Sequence, residues 1–279
     1  MRGTFPSMLT AKLVPQGVKV VADPALRGGA FACPKCREDV TLKAGRIVAA
    51  HFAHRAMAVC DWAGESAVHL KTKLAIRDAV AADLAARGVA QNYDLDLEHD
   101  LGPVRPDVWL RGRTTGRQVG VEVQASALTA ESILERTARY RALCAYVLWV
   151  VPFDPARFLK TGRDGVRRFA EVRLKTYERI VAQMGFKTLL AWDLSGTFPP
   201  GFLALKLSDT WGADSEFYAE GGELQSFSGR RRKTVKRVEK HRAGLGITDL
   251  DQGFARRFQG RGMTYALPER LMVGHRWGA

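Results

Sequence analysis

Residues 104–124, VRPDVWLRGRTTGRQVGVEVQ, constrain the chain more than any other stretch. Val104, Val108 and Leu110 recur at period two, as do Val119, Val121 and Val123, and the two runs flank a polar turn bounded by Gly112 and Gly116. That is the pattern of an antiparallel hairpin with one buried face. Asp107 falls out of phase with the first apolar set, and Glu122 and Gln124 fall out of phase with the second. Pairing of the strands would bring these three polar side chains to one side of the hairpin. Two carboxylates and an amide on adjacent strands suit a hard divalent cation, which takes oxygen ligands and keeps several waters.

The flanking segments read as helices. From Ala63 to Arg87, Leu70, Leu74, Ile76, Val80 and Leu84 form an apolar stripe among many alanines, and Gly88 ends it. Along another edge Glu65, His69 and Lys73 stack at i, i+4, i+8. A strand over Asn92–Glu98 follows, with Glu98, His99 and Asp100 expected in an exposed turn before Gly102-Pro103. After the hairpin, Thr129–Leu143 reads as a helix capped by Thr129, and Arg136 and Tyr140 share one of its faces. Tyr146–Val151 is apolar throughout, as a strand buried on both faces must be. The order helix, strand, hairpin, helix, strand gives an α/β fold with a mixed central sheet flanked by helices.

Upstream, Cys33-Pro-Lys-Cys36, two histidines in HFAH and Cys60 lie close together. Cys33, Cys36, His51, His54 and Cys60 are five candidates for a four-ligand tetrahedral Zn²⁺ site, and spacing does not choose between the histidines. Such a site would be structural. Short strands around it, with a hairpin over residues 10–23, imply a small N-terminal β subdomain. Four cysteines in 279 residues are too few for a disulfide scaffold, and Cys144 reads as a lone buried thiol.

Taken in order, CPKC, HFAH, ES-x-x-HLKTKL, RPDV, VEVQAS, ERTARYR and VLWVV resemble the competence protein CoiA-like family. The Pro-Asp, spacer, Glu-x-Gln and helix are similar to a PD-(D/E)xK nuclease core, with Gln124 where that pattern has lysine. The resemblance covers roughly Phe31 to Pro152. It implies a restriction-endonuclease-like core and metal-dependent hydrolysis of DNA phosphodiesters in DNA processing, recombination or competence. It further implies Mg²⁺ or Mn²⁺ held by Asp107 and Glu122, with Glu65 as a third carboxylate and His69 ligating or orienting. Gln124 would orient the attacking water, Lys73 would hold a phosphate, and Arg136 and Tyr140 would contact phosphate or support the site. Nucleases of this type often pair, so a homodimer is an expectation. The alternative is a zinc-stabilised DNA-binding accessory protein without catalysis.

Charge points the same way: 43 Lys and Arg against 29 Asp and Glu give +14, which favours a polyanionic partner, nucleic acid before membrane, and the resemblance implies that it is DNA, single- or double-stranded. Thirteen of those cations, against five acids, follow residue 220. Arg230–Arg242, RRRKTVKRVEKHR, reads as one basic helix whose Arg230, Arg231, Arg232, Lys233, Lys236 and Arg237 would contact nucleic acid, with aromatic residues nearby. Val166–Met184 reads as a further helix, Lys187–Trp192 and Phe202–Leu207 as strands, and Gly221–Ser228 as a loop. No apolar run approaches the ~20 residues of a membrane span, and no signal-peptide core is visible, so a cytoplasmic protein is expected. The expected division is 1–62 for the zinc-binding β subdomain, 63–155 for the nuclease-like core and 156–279 for a basic C-terminal region.

Overall fold

The computed structural model describes residues 7–46, 48–54, 60, 65–143, 145–185, 187–211, 215–218, 224–227, 232–254, 257–260, 263–266, 272–275 and 277, with side chains undescribed in 215–233 and 251–274. The chain begins in short antiparallel strands: β1 (Ser7–Met8), β2 (Thr10–Leu13), β3 (Lys19–Val21), β4 (Phe31–Ala32), β5 (Asp39–Lys43) and β6 (His51–His54). They form a six-stranded sheet in the order β1-β6-β5-β4-β2-β3, packed around Met8, Phe31, Val40 and Phe52.

Helix α1 (Ala67–Ala86) follows. The Ser66 hydroxyl accepts the His69 N–H at 3.2 Å to cap it, and Gly88, at φ +67°, lets the chain turn away at its end. Next come β7 (Tyr93–Leu97), β8 (Val108–Gly112), β9 (Gln118–Val123), α2 (Ala130–Ala142) and β10 (Ala145–Pro152). The short α3 (Pro155–Phe158), β11 (Leu159–Thr161), β12 (Arg167–Phe169), α4 (Thr176–Met184), β13 (Thr188–Trp192) and β14 (Phe202–Trp211) complete the middle of the chain. Beyond them lie β15 (Ser215–Tyr218), β16 (Leu224–Phe227), β17 (Arg232–Leu245), β18 (Asp251–Phe254), β19 (Arg257–Gly260), β20 (Met263–Ala266) and β21 (Met272–Gly274).

The large sheet runs β17-β14-β13-β10-β9-β8-β7, with β21 and β18 added beside β10. β9, β10 and β13 are parallel; β7, β8, β14 and β17 join antiparallel. Alternation along β10 assigns the layers. Leu148 and Val150 pack with Leu70, Ile76 and Val80 of α1, whereas Val147, Trp149 and Val151 pack with Ile133 of α2 and Ile180 of α4. The mixed α/β sheet with helices on both faces is the expected architecture.

The C-terminal expectations need correction. Residues 166–184 are not one helix. Asp164-Gly165, with Gly165 at φ +75°, turns β11 into β12, and a helix begins only at Thr176. Residues 230–242 are not helical either: the described part is strand, held against β14 across a long, bulged ladder in which Val238 is buried. Within the expected loop 221–228, Leu224–Phe227 is a strand paired with β15. Cys144, Arg230 and Arg231 lie outside the described residues, as do the side chains of Arg232 and Lys233. Among the described residues no helix is long and apolar enough to cross a membrane.

Candidate active site and metal centre

The β8–β9 register, Val108 opposite Val121 and Arg111 opposite Gln118, leads outward to Asp107 and Glu122 at the same end of the sheet. Asp107 stands just before β8 rather than within it. Its Oδ2 accepts the Val123 N–H at 2.7 Å, which ties the acid across the strand pair. The same oxygen lies 3.1 Å from His69 Nε2, and Oδ1 lies 2.8 Å from Lys73 Nζ. Glu122 is held from the opposite layer: Tyr140 Oη donates to Oε1 at 2.6 Å and Arg136 Nη1 to Oε2 at 2.9 Å. Each acid therefore belongs to a different helix, Asp107 to α1 and Glu122 to α2.

Gly120 makes the second arrangement possible. A Cβ there would come 2.4 Å from a ring carbon of Tyr140, so only glycine lets the phenol lie over β9 and reach Glu122.

Lys73 is the best-buried cation in the cluster, 1 % exposed. Besides Asp107, its ammonium lies 2.5 Å from Glu65 Oε1 and 3.0 Å from Glu98 Oε1. This position does not fit the phosphate contact expected of Lys73: three carboxylates surround the charge. Glu98 corrects a second expectation. It is 3 % exposed, not in a solvent turn. Its carboxylate accepts the N–H groups of Leu9 and Thr10 at 3.0 and 3.1 Å and the Thr10 hydroxyl at 2.7 Å. Lys19 reaches Asp96 at 2.7 Å, and the Ser7 hydroxyl bonds the backbone of Glu65. The first strands are thus bonded directly to the acid cluster. No local signal marks Glu98, because its partners lie almost ninety residues away in the chain.

Electrostatics separate the acids. Burial would raise Asp107, but Lys73 and His69 hold it well below the usual carboxylate range. Burial and then the charge of Asp107 push Glu122 up to about 7, against the pull of Arg136 and Tyr140. Burial raises Glu65 as well, against Lys73. Its Oε2 is buried without a hydrogen-bond partner and lies 3.9 Å from His69 Nδ1. Two acids at the hairpin end, with an orphaned carboxylate oxygen on Glu65 across Lys73 from Asp107, are compatible with a hard cation. The Gln124 amide donates to Ser126 O at 2.6 Å, within its own loop.

A second cluster lies in the small sheet. Ligand atoms of Cys33, Cys36, His54 and Cys60 all fall within 4.8 Å of one another, the one such group of three or more among the described residues. His54 Nε2 approaches Cys36 Sγ to 3.2 Å, while His51 turns its Nδ1 to Ala49 O at 2.8 Å. The spare histidine is therefore His51. Burial pushes the Cys33 thiol up to about 11, so a thiolate there requires a cation; three sulfurs and one imidazole match the donor set of a closed zinc site.

The helix-flanked mixed sheet, with paired acids at its end and a Cys₃His cluster ahead of it, defines a nuclease-like α/β protein. The family model for competence protein CoiA, N-terminal domain, matches residues 21–63, and that for competence protein CoiA, nuclease-like domain, matches residues 65–176. The chain belongs to the competence protein CoiA family. No curated protein matches it.

Proposed function

We propose that this protein is a Mg²⁺- or Mn²⁺-dependent deoxyribonuclease that hydrolyses DNA phosphodiester bonds during competence or recombination. The observation that carries the reading is the pair Asp107 and Glu122: buried, close enough for one charge to raise the other, and each held by its own helix. Asp107 and Glu122, with Glu65 beside them, would hold the cation. When bound, the metal polarises the scissile phosphate and makes a water more acidic. His69 holds Asp107 from α1, and Tyr140 and Arg136 hold Glu122 from α2. Gln124, as an amide, brings no positive charge. Lys73, enclosed by Glu65, Glu98 and Asp107, neutralises the acids rather than the phosphate. Zn²⁺ at Cys33, Cys36, His54 and Cys60 has a structural role, since four protein ligands leave no open position.

The test is incubation of the purified protein with plasmid and single-stranded DNA in Mg²⁺, Mn²⁺ or EDTA. Metal-dependent products are expected from the wild type and not from Asp107→Asn or Glu122→Gln, while both variants keep salt-sensitive DNA binding. Full cleavage by the double variant would overturn the site. A second reading, a DNA-binding accessory protein without catalysis, is favoured by one observation: the Lys73 ammonium fills the space between Glu65, Glu98 and Asp107. Wild type that yields no metal-dependent products under any of these conditions would select it.

A further inference from the structure

The cations after β10 do not form a helix face, as sequence periodicity suggests, but a hairpin with one wall on β17. Between residues 159 and 175 there are six Lys or Arg and two acids. Arg168 is occupied by Asp164, at 2.9 and 2.6 Å. Lys160, Arg163 and Arg167 are exposed and have no ion-pair partner among the described residues. Past the hairpin, Val172 bridges to Lys236 on β17, and Arg173 donates to the Thr234 hydroxyl at 3.3 Å. Farther along β17, Arg237 and Lys240 are exposed, with Arg237 3.7 Å from Glu171. Lys236 itself is paired with Asp209.

Packing holds the hairpin in place. Leu159 pairs with Phe169, and the Ala170 N–H returns to Phe158 O at 2.9 Å. The Phe169 ring lies 6.0 Å from Phe198 and 4.9 Å from His241 of β17. Its position in the sheet matters most. β9, β10 and β13 run parallel, and their C-terminal ends lie where Asp107 and Glu122 lie. The chain leaves β10 at that same end, where the Phe153 N–H bonds Trp192 O at 2.8 Å, and Phe198 sits just before β14 begins there. From β9 to β14 is three strand spacings, about 15 Å at ~4.8 Å each.

We propose that the β11–β12 hairpin and the adjoining part of β17 form a nucleic-acid backbone grip, with Lys160, Arg163, Arg167, Arg173, Arg237 and Lys240 as phosphate contacts. The choice of DNA as the polymer rests on the nuclease reading; the surface does not. Long exposed cations without base-reading amides position a backbone and carry no sequence preference. β17, the far wall of the grip, stands four strand spacings from β9, about 19 Å at ~4.8 Å each, a span that roughly six nucleotides at ~3.4 Å rise would cover. A membrane surface fits less well, because Val166 is the one large apolar side chain exposed on the described hairpin and an interfacial anchor needs a broad apolar face.

The experiment uses full-length protein carrying Lys160→Glu, Arg163→Glu and Arg167→Glu together, with the three glutamine substitutions as a milder set. Binding to labelled single-stranded and duplex DNA is followed in EDTA between about 50 and 200 mM salt. The glutamate triple should bind at least tenfold more weakly, and the slope of log affinity against log salt should become shallower by roughly two to three, with the glutamine set in between. Unchanged thermal melting is expected from exposed positions. Wild-type affinity and slope in a folded glutamate triple would overturn the proposal. So would loss of association with phosphatidylglycerol vesicles while DNA affinity stays intact. Cleavage is scored separately. A triple that binds normally while Asp107→Asn is inactive sinks the grip alone; a triple that loses DNA beside a wild type that never cleaves sinks the nuclease reading alone.

Discussion

Lys73 Nζ lies 2.8 Å from Asp107 Oδ1, on a side chain 1 % exposed, so the acid at the end of the hairpin faces a protein cation as well as any metal. Burial would drive the ammonium to give up its proton, but Asp107, Glu98 and Glu65 raise its pKa above the ordinary lysine value.

Lys73→Met should therefore leave three acids without their shared counter-ion. The loss of stability is on the order of 3 kcal/mol or more. It should be largest near pH 8 and shrink toward pH 5, because without the ammonium the acids' folded pKa values rise and protons can replace it as pH falls. Urea denaturation of variant and wild type at the two pH values checks the sign. An equal loss at both would contradict the ion-pair account.

Glu122, pushed up to about 7, makes metal binding a competition with a proton. Folding favours the protonated acid: relative to an ordinary value of 4.5, its stabilising contribution is complete below 4.5 and is lost as pH rises through about 7. Mn²⁺ affinity should accordingly fall about tenfold per pH unit below 7, with proton release on binding. Tyr140→Phe removes a donor to the carboxylate and should move the midpoint upward. Calorimetric titration in buffers of different ionisation heat measures both. Flat affinity from pH 6 to 8 would exclude the coupling.

Glu98 bonds the first strands to the acid cluster. Glu98→Leu would leave the Leu9 and Thr10 N–H groups buried without an acceptor, costing about 3 kcal/mol in sum. Amide exchange at Leu9 and Thr10 should accelerate more than exchange in β13. Equal acceleration in both would mean global destabilisation without a local latch.

The cysteine cluster predicts metal content residue by residue. His54→Ala and Cys60→Ser should lose bound zinc, whereas His51→Ala should keep it, since His51 bonds Ala49 O outside the cluster. Elemental analysis of the purified variants decides this. Zinc retained by His54→Ala and lost by His51→Ala would reverse the assignment.

Gly120→Ala should displace Tyr140, whose ring carbon would stand 2.4 Å from the new methyl group. Overpacking of this kind costs about 1–3 kcal/mol. Metal-dependent cleavage should fall more than DNA affinity, because the Tyr140 hydroxyl holds Glu122 and the cations of the hairpin are exposed. A parallel fall in both would point to general unfolding.

Local pattern carried much of this protein. Period-two valines predict the strands that end at Asp107 and Glu122, and the alanine-rich stripe closed by Gly88 predicts α1, whose start at Ala67 is set by the Ser66 cap. Both signals are read within one element, where side-chain spacing and backbone geometry are linked directly. Where patterns were short or mixed, they misled. The basic run after Arg230 has helical composition, but the described strand is held by a neighbour, β14, and Asp164-Gly165 turned a presumed helix into a hairpin.

Tertiary structure alone decided who meets whom. Nothing near Glu98 announces Leu9 and Thr10, and spacing cannot choose His54 over His51. It also decided that Lys73 is enclosed by acids. The physical reason is common to all three: a buried polar group must find a partner, and the partner is set by which distant segments the packed sheet brings within hydrogen-bond distance.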